Sequence, residues 1–198
     1  MLTLAFDTAT GVATTALVDD EKLLGERAST AVRVLGDADE LVRDAGASPA
    51  DISRVAVGIG PGSFTGIRIG LATARGLALG LSVPVAGLST LEALAAGAPG
   101  ALPVIDANRK EVFTLAGDEP RCLRPEEVPL EPGTVCVGDG AVRYRAVLEA
   151  RGATVPPDDE EVHLPRARFH AVLARDFGAP DDVEPLYLRV PDAERSRR

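Results

Sequence analysis

The chain has 198 residues, 45% hydrophobic and 26% charged, which is enough apolar material for one compact domain or two small lobes. A formal charge of −9, from 30 acidic against 21 basic residues, opposes direct tight gripping of a phosphate backbone, and 4% aromatics without Trp argues against a stacking surface for single-stranded nucleic acid. Cys122 and Cys136 form neither a CxxC motif nor a disulfide framework, and no stretch reads as a signal peptide or a membrane span, so a cytoplasmic protein with reduced thiols is expected.

Leu2 to Phe6 reads as a buried strand that stops at Asp7-Thr8-Ala9-Thr10-Gly11, and Val12 to Val18 resumes as a second strand. An Asp followed by hydroxyl residues and Gly in such a turn suits a hydrated cation or a nucleotide phosphate, although turn chemistry alone explains the same residues. Lys22 to Ala28 continues the sheet. Val34, Leu35, Ala38, Leu41, Val42 and Ala45 then fall at helical spacing, with Asp37, Glu40 and Asp44 on another face, either solvated or suited to a basic partner. Ser48-Pro49-Ala50-Asp51 has a cap, a first-turn Pro and an acid, which predicts a brief helical turn.

Val55 to Leu81 organises the rest. Val55-Ala56-Val57 is a short apolar run for a buried strand, Gly58 to Gly62 breaks regular structure, and Ser63 or Thr65 can cap a helix with Ile67, Leu71, Ala74, Leu77, Ala78 and Leu81 on one face. A strand, a glycine elbow and a helix make an anion-binding geometry. Neither phosphate fingerprint is satisfied, because there is no GK pair and no third glycine after Gly60-Pro61-Gly62. Gly66, Gly70, Gly76 and Gly80 each cost a helix about 1 kcal/mol relative to Ala. Close approach of a neighbour, either within the domain or in another chain, must offset that.

Val83 to Gly87 is a further buried strand and Thr90 to Ala96 a short helix opening at Ser89, after which Gly97 to Gly100 reads as a linker. Beyond the linker the opening of the chain is repeated: Pro103-Val104-Ile105-Asp106-Ala107 and Glu111 to Leu115 are a strand, an Asp and a second strand. Cys136-Val137-Gly138-Asp139-Gly140 echoes Ala56-Val57-Gly58-Ile59-Gly60 ahead of a helix from Ala141 to Arg151, and a last helix runs from about Arg166 to Phe177. The basic residues Arg195 to Arg198 read as a solvated end. The duplication predicts an α/β fold of the actin-like, ribonuclease H-like type in two lobes, residues 1–97 and a reduced 98–198. A nucleotide, ATP or ADP, would lie between such lobes, with Asp7, Thr8 and Asp106 flanking its phosphates and Gly138 and Gly140 at the nucleoside.

The stretch from Gly60 to Ala78, the opening LAFDTAT, the segment VIDANRKEVF and the closing Pro185-Leu186-Tyr187-Leu188-Arg189 together resemble the TsaB (YeaZ) family over nearly the whole chain. The resemblance implies a non-catalytic subunit of the machinery that makes threonylcarbamoyl-adenosine in tRNA. It further implies a TsaD-like catalytic partner, a TsaE-like ATPase, tRNA engaged only through the complex, a homodimer when alone, and no required cofactor. It places the partner surface on the two long helices, at Leu35, Asp37, Glu40, Ser63, Phe64, Thr65, Arg68, Gly70 and Gly76. The family often carries a His before its first long helix, where Thr30 stands here. His163 and His170, with Pro165 between them, do not make the paired metal ligands of the catalytic sister, so no metal and no catalytic residue are expected. A second reading stays open: a stand-alone ATP-dependent kinase or acyltransferase, for which Asp7 and Asp106 would supply part of the site.

Overall fold

The computed structural model describes residues 1–189, so the Arg195 to Arg198 end lies outside the described residues. The first lobe is a five-stranded sheet of β1 (Leu2–Asp7), β2 (Ala13–Asp19), β3 (Lys22–Ser29), β4 (Arg54–Gly58) and β5 (Val85–Leu88) in the order β3-β2-β1-β4-β5. β1, β2 and β3 form an antiparallel meander, whereas β4 and β5 run parallel to β1. Parallel neighbours need a crossover, which α1 (Val34–Asp44) and α2 (Phe64–Leu81) supply. The Ser48–Asp51 turn is present: Asp51 Oδ2 accepts from the Ser48 N–H and hydroxyl at 2.8 Å each, and these bonds hold the Asp51 carboxyl below its usual range.

Strand alternation decides what each face meets. Leu4 and Phe6 of β1, Leu17 of β2 and Val55 and Val57 of β4 face α1 and α2, packing on Val34, Leu41, Ile67, Leu71, Ala74 and Ala78. The other face carries Ala5, Ala16, Ala56 and Ala86, small enough for another helix to lie close. That helix is α6 (Ala167–Leu173), whose Ala167 and Ala171 complete the second cluster. The expected helix to Phe177 is shorter, and it belongs to the first lobe rather than to the 98–198 unit. Thr14 Oγ1 donates to Pro165 O at 2.6 Å, and Arg166 pairs with Glu26, only 2% exposed, at 2.6 Å.

The second lobe is a four-stranded sheet in the order β8-β7-β6-β9, from β6 (Leu102–Asp106), β7 (Val112–Ala116), β8 (Glu119–Leu123) and β9 (Cys136–Val137). β8, which the hydrophobic pattern does not reveal, sits at the sheet edge, where Pro120 is tolerated. Val104, Cys136, Ala141 and Leu148 pack α4 (Asp139–Arg143) and α5 (Arg145–Ala150) on one face. The single helix expected from Ala141 to Arg151 is therefore two, interrupted at Tyr144 with φ −107° and ψ 22°. The other face, with Ile105 and Phe113, takes Leu91 and Leu94 of α3 (Thr90–Gly97), so α3 joins the two lobes. The elbow before α4 is held by His163, whose Nδ1 accepts from Gly138 N at 3.0 Å while Nε2 faces the carbonyls of Pro156 and Pro157. This arrangement requires the Nε2-protonated neutral ring.

Candidate functional site

Asp7 ends β1 on the face covered by α6 and is fully buried. Its Oδ1 accepts from Ala9 N at 2.7 Å, its Oδ2 accepts from Thr90 Oγ1 at 2.8 Å, and His170 Nε2 lies 2.9 Å from Oδ2. The His contact lacks hydrogen-bond alignment. Gly58 on the neighbouring strand leaves room for the carboxylate, since a Cβ there would overlap it. Thr8 is equally enclosed, donating to Gly66 O at 2.7 Å. Asp7 and Thr8, expected to flank a phosphate, are both turned into the protein here: alternation points Asp7 at α6 and the elbow closes over Thr8. Thr90 and His170 are partners that no local pattern announces.

Asp106 is differently placed. Its side chain is 13% exposed, pairs with Arg143 Nη1 at 2.6 Å and accepts from Asn108 N at 3.0 Å. Its backbone N–H donates to Asp139 Oδ1 at 2.9 Å, and burial pushes the Asp139 carboxyl up. Gly138, at φ 112°, and Gly140 lie against the β6 backbone at Val104 and Ile105, where any side chain would clash. These glycines, expected at a nucleoside, serve here the close approach of α4 to β6. The structure does not bring Asp7, Thr8 and Asp106 into one open site, and among the described residues no cluster of ligating side chains is arranged to hold a metal ion.

The long helices present a surface instead. Ser63 caps α2 by accepting from Gly66 N at 3.2 Å. Ile67, Gly70, Leu71, Ala74 and Ala78 turn inward, while Thr65, Arg68, Ala72, Gly76, Leu79 and Gly80 face out. Leu79 is 68% exposed, and a Cβ added at Gly76 or Gly80 meets nothing within 4 Å. The turn Ala31–Arg33 touches α2; its Val32 is 85% exposed, and Leu35, in the first turn of α1, is 53% exposed. Gly70 is removed from the expected partner surface, for a Cβ there would lie 2.5 Å from Thr8 Oγ1. Asp37 is removed as well: it is 3% exposed, accepting from Ser29 Oγ and lying 3.6 Å from Arg33. Leu35, expected on the core face of its helix as well as at the partner, is outward. Glu40 is half-buried between Arg27 at 2.9 Å and Arg33 at 3.2 Å. Phe64 and Arg68, at the start of α2, contact Tyr187 near the chain end.

Comparison with known proteins agrees with this architecture. The profile of the family TsaD: tRNA N6-adenosine threonylcarbamoyltransferase matches residues 28–124. The tRNA threonylcarbamoyladenosine biosynthesis protein TsaB of Escherichia coli is 35% identical, with 96% of this chain and 95% of that protein covered. The protein of the same name from Bacillus subtilis is also 35% identical, over 98% of this chain and 96% of its own length. Among solved structures, YeaZ from Pseudomonas aeruginosa superposes with a TM-score of 0.73 at 26% identity, covering 94% of this chain and 99% of that one. With two sheets in actin-like, ribonuclease H-like arrangement and relatives this similar along their full length, the chain belongs to the TsaB (YeaZ) family.

Proposed function

We propose that the chain works in the synthesis of threonylcarbamoyl-adenosine in tRNA as a non-catalytic subunit, docking the exposed face of α1 and α2 on a TsaD-like catalytic subunit and acting with a TsaE-like ATPase. The observation that carries this reading is the outward row Ala72, Gly76, Leu79 and Gly80 on α2, apolar and mostly small, together with the exposed Val32 and Leu35 at the start of α1, a surface that lets another helix approach closely. Without that subunit the same strip can pair with a second copy, since an isologous contact reuses one patch on both chains. The names carried by the Escherichia coli and Bacillus subtilis relatives support the pathway.

Purified protein with tRNA and threonylcarbamoyl-adenylate is expected to show no transfer until a TsaD-like subunit is added, and turnover by this chain alone overturns the proposal. Bare tRNA is expected to be retained weakly, because the net charge of −9 opposes counterion-driven association.

A solitary kinase or acyltransferase would need an accessible carboxylate and a phosphate clamp, whereas Asp7 is enclosed by Thr90 and His170. Calorimetry of the isolated chain with ATP is expected to give a Kd on the order of millimolar or no heat. A micromolar Kd that Asp7→Asn abolishes would favour the kinase reading instead.

A further inference from the structure

Residues 185–189 cross from one lobe to the other. Arg75 Nη2 donates to Val183 O at 2.7 Å and Leu186 N to Ile59 O at 2.8 Å, fixing the segment on the first lobe. Tyr187 then lies 5.0 Å from the Phe64 ring, centroid to centroid, and its hydroxyl accepts from Arg68 Nε at 3.2 Å, while the Arg68 guanidinium sits 3.7 Å over Phe64. The next residue, Leu188, packs on the second-lobe cluster of Ile105 and Phe113, and Arg189 pairs with Glu111 at 2.8 Å. This segment forms one wall of a cavity of about 330 Å³ whose other walls include Ser63 and Thr65 of the first lobe and Ala107 and Asn108 of the second.

We propose that residues 185–189 are a latch along one wall of this interlobe cavity, fastened by Tyr187 and able to release while both lobes stay folded. The physical ground is the contrast between what holds the segment and what it covers. Tyr187 is 37% exposed, and its ring pair, the neighbouring cation over a ring and the Arg189–Glu111 pair are surface contacts of the weak class. β1 at the centre of the first sheet is fully buried at Leu4, Ala5 and Phe6, and local opening draws on the weakly held elements first. Because Tyr187 grips Phe64 and Arg68, release of the latch simultaneously opens the cavity and frees the first turn of α2. A contact that captures Arg68 from outside would therefore loosen the Arg189–Glu111 tie on the other lobe. The proposal concerns the isolated chain and does not depend on which partner docks.

Native-state hydrogen exchange on the full chain tests it, with the Leu186 amide as reporter and the amides of Leu4 and Phe6 as the internal reference. In the wild type, Leu186 should exchange much faster than the reference amides. Tyr187→Ala should accelerate Leu186 a further 2- to 12-fold or so, the factor an aromatic pair is worth, with the references unchanged. Tyr187→Phe, which keeps the ring, should stay close to wild type. Exchange of Leu186 at the reference rate in the wild type, or equal acceleration of reporter and references in Tyr187→Ala, would overturn the latch.

Discussion

Gly70→Leu is expected to lower the melting temperature by roughly 6–12 °C, while Gly76→Leu melts at or slightly above the wild type and fails to bind a TsaD-like subunit. The two glycines lie on one helix, yet their surroundings are opposite. At Gly70 even a Cβ would sit 2.5 Å from Thr8 Oγ1, whose hydrogen bond to Gly66 O ties the β1–β2 turn to α2. Leucine there must displace Thr8 or push α2 away from the sheet, and overpacking of this kind costs about 3 kcal/mol. Each kcal/mol is worth roughly 2–4 °C in a chain of this size, which sets the size of the shift. At Gly76 an added Cβ meets no neighbouring atom within 4 Å, and replacing a helical glycine returns up to about 1 kcal/mol. The added bulk then stands where the partner helix must approach. Thermal melts followed by sedimentation with the partner subunit separate the outcomes: retained association in Gly76→Leu would place the partner surface elsewhere. A wild-type melting temperature in Gly70→Leu would show that α2 can yield at that position.

The second large effect is expected at Glu26. This carboxylate is 2% exposed and accepts from Arg166 Nε at 2.9 Å, from Arg166 Nη2 at 2.6 Å and from Arg168 N at 3.0 Å, so it receives the start of α6 on β3. Among the described residues, Glu26→Ala leaves the Arg166 guanidinium, 12% exposed, with only the exposed Glu161 to answer it. Removing one partner of a buried pair typically costs about 3–5 kcal/mol, because the remaining charge stays desolvated. Urea unfolding should show that loss, and hydrogen exchange should place it first in α6. Replacing both partners with apolar residues, Glu26→Leu with Arg166→Met, should recover most of the stability, since no charge is then stranded. A double variant as unstable as Glu26→Ala would mean that the contacts to Arg168 and Glu161, rather than the buried charge, hold the helix.

The Glu26 experiment probes what the C-terminal part of the chain does for the first lobe. α6 closes the small-residue face of the first sheet and delivers His170 to Asp7; residues 185–189 then leave that lobe and enter the second. The chain thus runs out from the first lobe, through the second and back again.

Much of this was legible locally. The 3.6-residue recurrence of Ile67, Leu71, Ala74 and Ala78, the Ser63 cap, the Ser48–Asp51 turn and the repeated strand-then-Asp pattern each depend on residues a few positions apart, and each is found where that spacing placed it. The resemblance to the TsaB family, resting on contiguous motifs, was readable for the same reason. What only the tertiary structure decided are contacts between residues far apart in the chain. Asp7 meets His170, Glu26 meets Arg166, and Gly70 meets Thr8 across an elbow. Periodicity says that Gly70 and Gly76 point differently and that Asp37 leaves the apolar stripe; it does not say which direction is inside. That depends on where the helix axis settles on the sheet and on which distant segment covers the remaining face. Here α6, legible as a helix but not as the cover of a distant sheet, lies on a face of Ala5, Ala16, Ala56 and Ala86 and encloses Asp7 beside His170.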